Sequence, residues 1–198
     1  SIMIKIGITG GIASGKTTAT DFFKKKGAYV FNADKESKKH LKESLALQKK
    51  IISIFGNNIV VDNKIDFDNL AKIAFKNETN HNILNGIMWP ELFLLIDKEY
   101  NAIKNNANYN CFIVDAALIF EANFTAFFDH IILITASEKN RLIRAVKRTN
   151  INLENIQNRI SLQMPEKEKK ELTNYIINNN FSMENLNKKL ERLKKDEI

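Results

Sequence analysis

Gly10-Gly11-Ile12-Ala13-Ser14-Gly15-Lys16-Thr17 spells G-x-x-x-x-G-K-[ST]. Glycines at these spacings let the backbone curl so that its N–H groups face inward around phosphate oxygens. The helix expected to follow adds its dipole and the unbonded N–H groups of its first turn, Lys16 to Thr18. Lys16 would reach the β- and γ-phosphates, and the Thr17 hydroxyl is a suitable ligand for Mg²⁺. Four of the seven glycines fall in the first 15 residues, where this geometry needs them. Gly10 to Thr18 is therefore the expected nucleoside triphosphate site.

Two carboxylates stand at strand ends, where ligands gather in open parallel sheets. Asp34 follows the second expected strand and could accept a proton from a hydroxyl attacking the γ-phosphate. It could equally cap a helix over residues 35–46. Asp115 closes the third apolar strand, either as a carboxylate assisting Mg²⁺ through water or as a strand-end cap. Asn63-Lys64-Ile65-Asp66 matches the N-K-x-D string that reads guanine in GTPases. It lies only 47 residues beyond Lys16 in a polar turn, and the chain has no D-x-x-G, so a GTPase is rejected.

These residues need elements to hold them. Residues 3–9, 28–31, 112–114 and 131–134 are short β-branched apolar runs of the buried parallel-strand type. Helices are expected from Lys16 to near Gly27, at 138–148, 153–163 and 166–173, with a short strand at 175–177 and a last helix opened by Ser182. Residues 35–110 are polar with helical apolar spacing. The alternation predicts an α/β fold, a P-loop NTPase-type parallel sheet flanked by helices. A single domain over 1–198 is expected, with core segments at about 1–34, 111–144 and 173–198. The helical insertion takes about 35–110, and a polar, arginine-bearing helical lid takes about 145–172.

The chain has 198 residues, a net charge of +7, 44% hydrophobic residues and one cysteine. That suits a folded globular protein and argues against disorder. Cys111 alone can form no internal disulfide, so a reducing, cytoplasmic setting is expected. No apolar run is long enough for a membrane span, and no signal-peptide pattern opens the chain. Of the 30 cationic residues only five are arginines, and four of these (Arg141, Arg144, Arg148, Arg159) lie within 19 residues. Guanidinium groups bind phosphate oxygens bidentately where lysines act as point charges. Nucleic acid is not the expected partner, because finger, basic-aromatic and arginine-rich-tail patterns are missing from the sequence.

Thr-Gly-Gly-Ile-Ala-Ser-Gly-Lys-Thr at 9–17 followed by Asn-Ala-Asp at 32–34 resembles the opening of dephospho-coenzyme A kinases, whose usual form is T-G-G-I-G-S-G-K-S and then D-A-D. Asp115 to Glu121 is similar to their D-x-P-L-L-F-E. Arg144 to Arg148 with Arg159 and Gln163 resembles their lid, and Ile177 to Asn180 their I-D-N-x-G. The resemblance implies transfer of the γ-phosphate of ATP to the ribose 3′-hydroxyl of dephospho-coenzyme A. By that resemblance Asp34 is the general base, Arg148 the lid arginine with Arg144 in support, and Asn179 borders the adenine. Residues 35–110 then hold the acceptor, and Mg²⁺ accompanies ATP. Departures are Asn32 for Asp, Trp89 for the His of His-Pro, Ala117 for Pro, Asn178 for Asp, and Phe67 where an Arg is often found. Two other readings remain: a P-loop kinase for a nucleoside or nucleoside monophosphate, and a nucleic-acid-stimulated P-loop ATPase.

Overall fold

The computed structural model describes residues 2–148, 151–173 and 175–196. Ser1, two residues of the expected lid (149 and 150), residue 174 and the last two of the expected C-terminal core lie outside them. Contacts divide the chain into two compact units, one holding residues up to Asn32 and from Lys98 onward, the other Ala33–Asp97.

The first unit is built on five parallel strands: β1 (Ile4–Thr9), β2 (Ala28–Asn32), β5 (Cys111–Asp115), β6 (His130–Thr135) and β7 (Tyr175–Asn178), in the order β2-β5-β1-β6-β7. Both faces are covered, which is why the strands read as continuous apolar runs. On one face Ile6, Ile8, Ile113, Ile132 and Ile134 pack with Phe22 and Phe23 of α1 (Lys16–Lys25) and with Leu186 and Leu190 of α9 (Met183–Asp196). On the other, Tyr29, Tyr100, Phe112 and Phe127 form an aromatic cluster, Tyr29 and Phe112 stacked at 5.6 Å. A side chain at Gly7 would sit 2.8 Å from Ile119 and 3.3 Å from the Phe128 ring, so this face closes directly on the β1 backbone. Helices α6 (Glu138–Arg148), α7 (Leu153–Ser161) and α8 (Glu166–Glu171) follow β6.

The second unit contains α2 (Ala33–Glu43), α3 (Leu45–Phe55), the antiparallel β3 (Val60–Val61) and β4 (Lys64–Ile65), α4 (Phe67–Ala74) and most of α5 (Glu78–Ile103). Its core is Leu41, Leu47, Ile51, Ile59, Leu70 and Ile87. Ser44 caps α3 through the Leu47 N–H, so the expected helix over 35–46 is broken at that serine. Asp62 and Asn63, with φ of 50° and 62°, make the tight turn between β3 and β4, and Asp66 caps α4 at 2.8 Å. Asn63 and Asp66 of the N-K-I-D string thus serve as turn and cap.

The insertion expected at 35–110 is shorter in the structure. Residues from 98 onward pack with the sheet because Tyr100 donates to the Met3 carbonyl at 3.0 Å, Tyr29 donates to Glu99, and Asn110 donates to the Lys26 carbonyl at 2.7 Å. Helices α7 and α8 also end two residues before the expected 163 and 173.

Candidate active site

The loop after β1 is a strand–loop–helix cradle. Gly15, with φ of 110°, is the N-cap of α1, and no side chain caps that helix, so the N–H groups of its first turn stay available. A Cβ on Gly15 would also collide with the Asn179 amide. Ala13 adopts φ of 58° where the resembling motif has glycine, a conformation costing about 1 kcal/mol for a non-glycine residue. The Lys16 ammonium lies back across the loop, donating to the Gly10 carbonyl at 3.0 Å. Ser14 is fully buried; its N–H donates to the Gly11 carbonyl, and its Oγ has no hydrogen-bond partner among the described residues. Thr17 and Thr18 open α1, and Thr17 is exposed.

Polar contacts from later segments fix this loop. The Asn179 amide donates to the Ser14 carbonyl at 2.8 Å, and its N–H donates to the Thr135 carbonyl at 2.7 Å. Arg144 donates to the Asn179 carbonyl at 2.7 Å and to the Ala13 carbonyl at 3.5 Å. Both residues expected to meet the nucleotide therefore use these groups to hold the loop against the end of β7. Arg148 lies on the same face of α6, one turn beyond Arg144, and is exposed.

The fold also brings Arg141, a member of the arginine cluster, and Lys169 to this region. Arg141 is only 9% exposed, and its guanidinium lies against Gly11. Lys169 on α8 is 2% exposed, donates to the Ala117 carbonyl at 3.3 Å and pairs with Glu121 at 3.4 Å. Burial pushes its ammonium below the ordinary lysine value, Arg141 adds to that shift, and Glu121 and Glu166 oppose it. Scarcity of arginine was a signal for Arg141; nothing in the alternating run 166–171 marked Lys169.

For Mg²⁺ the available donors are oxygens. Asp115 is buried at the end of β5, opposite Ile8, and Thr17 offers its hydroxyl. Among the described residues no cluster of three or more His, Cys, Asp or Glu could hold a metal. One carboxylate and one hydroxyl fit an ion carried largely by phosphates and water.

Asp34 lies in the first turn of α2, in the second unit, and neither ends a strand nor caps the helix. Its carboxylate is 82% exposed and pairs with Lys38 at 3.4 Å. Along the chain it is two residues from Asn32, the last of β2, which aligns with Asp115.

A phosphate cradle closing the first strand of a five-stranded parallel sheet, with helices on both faces, defines a P-loop kinase fold. The dephospho-CoA kinase family model matches residues 4–185. A Dephospho-CoA kinase from Fusobacterium nucleatum is 37% identical over 193 residues, 97% of each chain. Among solved structures, a dephospho-CoA kinase from Campylobacter jejuni is 26% identical, with a TM-score of 0.68 over 97% of this chain and 96% of that one. A Thermus thermophilus protein shares the fold at a TM-score of 0.82 over 100% of both chains. The chain belongs to the dephospho-CoA kinase family.

Proposed function

We propose that this chain transfers the γ-phosphoryl group of ATP to the ribose 3′-hydroxyl of dephospho-coenzyme A, giving coenzyme A and ADP in the cytoplasm. The observation that carries this reading is the extent of the family match, residues 4–185, which takes in the cradle, Asp34 and the arginine helix together. The first-turn N–H groups of α1 and Lys16 bind the phosphates. Thr17 and Asp115 would hold Mg²⁺, which when bound neutralises charge on the phosphate oxygens. Asp34 takes the proton as the 3′-oxygen bonds to the γ-phosphorus, while the bond to the bridging oxygen breaks and its electron pair leaves with ADP. Arg144 and Asn179 keep the cradle in shape, and Arg148, at the exposed end of α6, closes over the transferring group. Residues 33–97 receive the acceptor, and 145–172 act as the lid that excludes water.

The test is turnover with ATP and Mg²⁺, offering dephospho-coenzyme A, nucleosides and nucleoside monophosphates separately, with products read by mass spectrometry. Coenzyme A is the expected product. Phosphorylation of a nucleoside or nucleoside monophosphate without coenzyme A would overturn the reading.

A further inference from the structure

Arg141 combines features that cost stability and that no ion pair or side-chain hydrogen bond among the described residues offsets. It sits in the first turn of α6, where the helix dipole disfavours a cation. It is nine-tenths buried, its Nε has no hydrogen-bond partner among the described residues, and the ion pairs there do not include it. Glu121 pairs with Lys169 and Glu166 with Lys170, each keeping one buried carboxylate oxygen without a hydrogen-bond partner among the described residues, and Arg144 donates to the carbonyls of Ala13 and Asn179. A desolvated cation without a partner is destabilising.

Its direction is informative. Any side chain at Gly11 would collide with the Arg141 Nη1, and the Arg141 Cδ lies 3.6 Å from the position a Cβ would take. Glycine at 11 therefore makes room for the guanidinium. On the preceding residue, the Gly10 carbonyl accepts from Lys16 at 3.0 Å. Two cations thus approach adjacent residues of the loop, and one of them is the lysine that serves the β- and γ-phosphates in this motif.

We propose that Arg141 is a phosphate-binding residue, taking an oxygen of the nucleotide's β- or γ-phosphate beside Gly11. The proposal rests on the reading of this cradle as an ATP site and gives the buried guanidinium an anionic partner. A planar fork suits bidentate contact with phosphate.

The test compares the full chain with Arg141→Gln and Arg141→Lys, measuring ATP affinity by calorimetry, KM for ATP and for the acceptor, and Tm without nucleotide. Arg141→Gln is expected to weaken ATP binding about tenfold, worth about 1.4 kcal/mol. It should raise KM for ATP similarly, leave KM for the acceptor alone, and keep Tm at or above the parent value. Arg141→Lys should fall between, retaining charge without the fork. Unchanged ATP affinity in Arg141→Gln overturns the proposal. So does a variant that fails to fold or loses Tm, because that would make Arg141 a structural cation. Calorimetry needs no acceptor, so failure to make coenzyme A would count against the proposed function and leave this result standing.

Discussion

The two units solve different problems with different residues. In the unit carrying the cradle, polar groups are buried and tied to backbone: Asn179 holds Ser14 and Thr135, Arg144 holds Ala13 and Asn179, and Lys169 holds Ala117. In the Ala33–Asp97 unit, the candidate base is exposed, its ion pair is a surface one, and polar residues mostly cap helices and shape turns. Surface ion pairs of this kind contribute little. The cradle is thus held by a desolvated polar framework, whereas the Asp34 carboxylate stands exposed on a helical turn of the second unit. Electrostatic preorganisation is most effective where charge develops, which is at the transferring phosphoryl group.

The largest expected effect breaks the contrast at its chemical end. Asp34→Asn should lower kcat about 10²–10⁴-fold, the usual value of a general base, while ATP binding and Tm stay near the parent. A kcat within a few-fold of the parent would remove Asp34 from proton transfer. Next, Arg144→Met should weaken the cradle itself, raising KM for ATP and costing about 1.5–3 kcal/mol, the scale of hydrogen bonds to a charged group. Equal losses in KM for both substrates would show that the loop is not what Arg144 positions.

The smallest effect tests the second unit through acid. His81 is buried against the Phe75 ring at 5.4 Å, and burial pulls its imidazole below the ordinary 6.5, with Glu78 opposing. The unfolded chain takes up a proton that the folded chain resists. Stability is therefore full above pH 6.5 and falls as pH drops through that value toward the folded one. Urea unfolding of the parent and His81→Asn between pH 7.5 and 5.5 should show a steeper acid loss in the parent. Parallel slopes would exclude His81 as the source.

Legibility followed the physics of each feature. The cradle was readable because its requirements are local: glycines for the turn, a strand before it, and an uncapped helix after it. The strands were readable because burial on both faces demands uninterrupted β-branched runs, as in Ile131 to Ile134. Asp34 was visible as a candidate but misplaced, since Ala33 already begins α2 and the carboxylate falls inside its first turn. The end of the expected helix over 35–46 falls instead at Ser44, where the side-chain cap on the Leu47 N–H starts a second helix. Residues 98–110 pack with the first unit although Tyr100 and Asn110 look like the residues before them, because only what they touch sets them apart.

By itself the sequence determined the reaction class, the sheet and most of the elements, because motif chemistry and side-chain periodicity act over a few residues. Only the tertiary structure decided which cations lie buried beside the loop and which hold it by hydrogen bonds. Arg141, Arg144 and Arg148 share one helix and one face, yet one is buried with its Nε unpartnered among the described residues, one is bonded to backbone and one is exposed. Those differences arise from desolvation and contact with segments at Gly11, Ala13 and Asn179, and no local pattern encodes how far an approaching strand or loop will strip a charge of water.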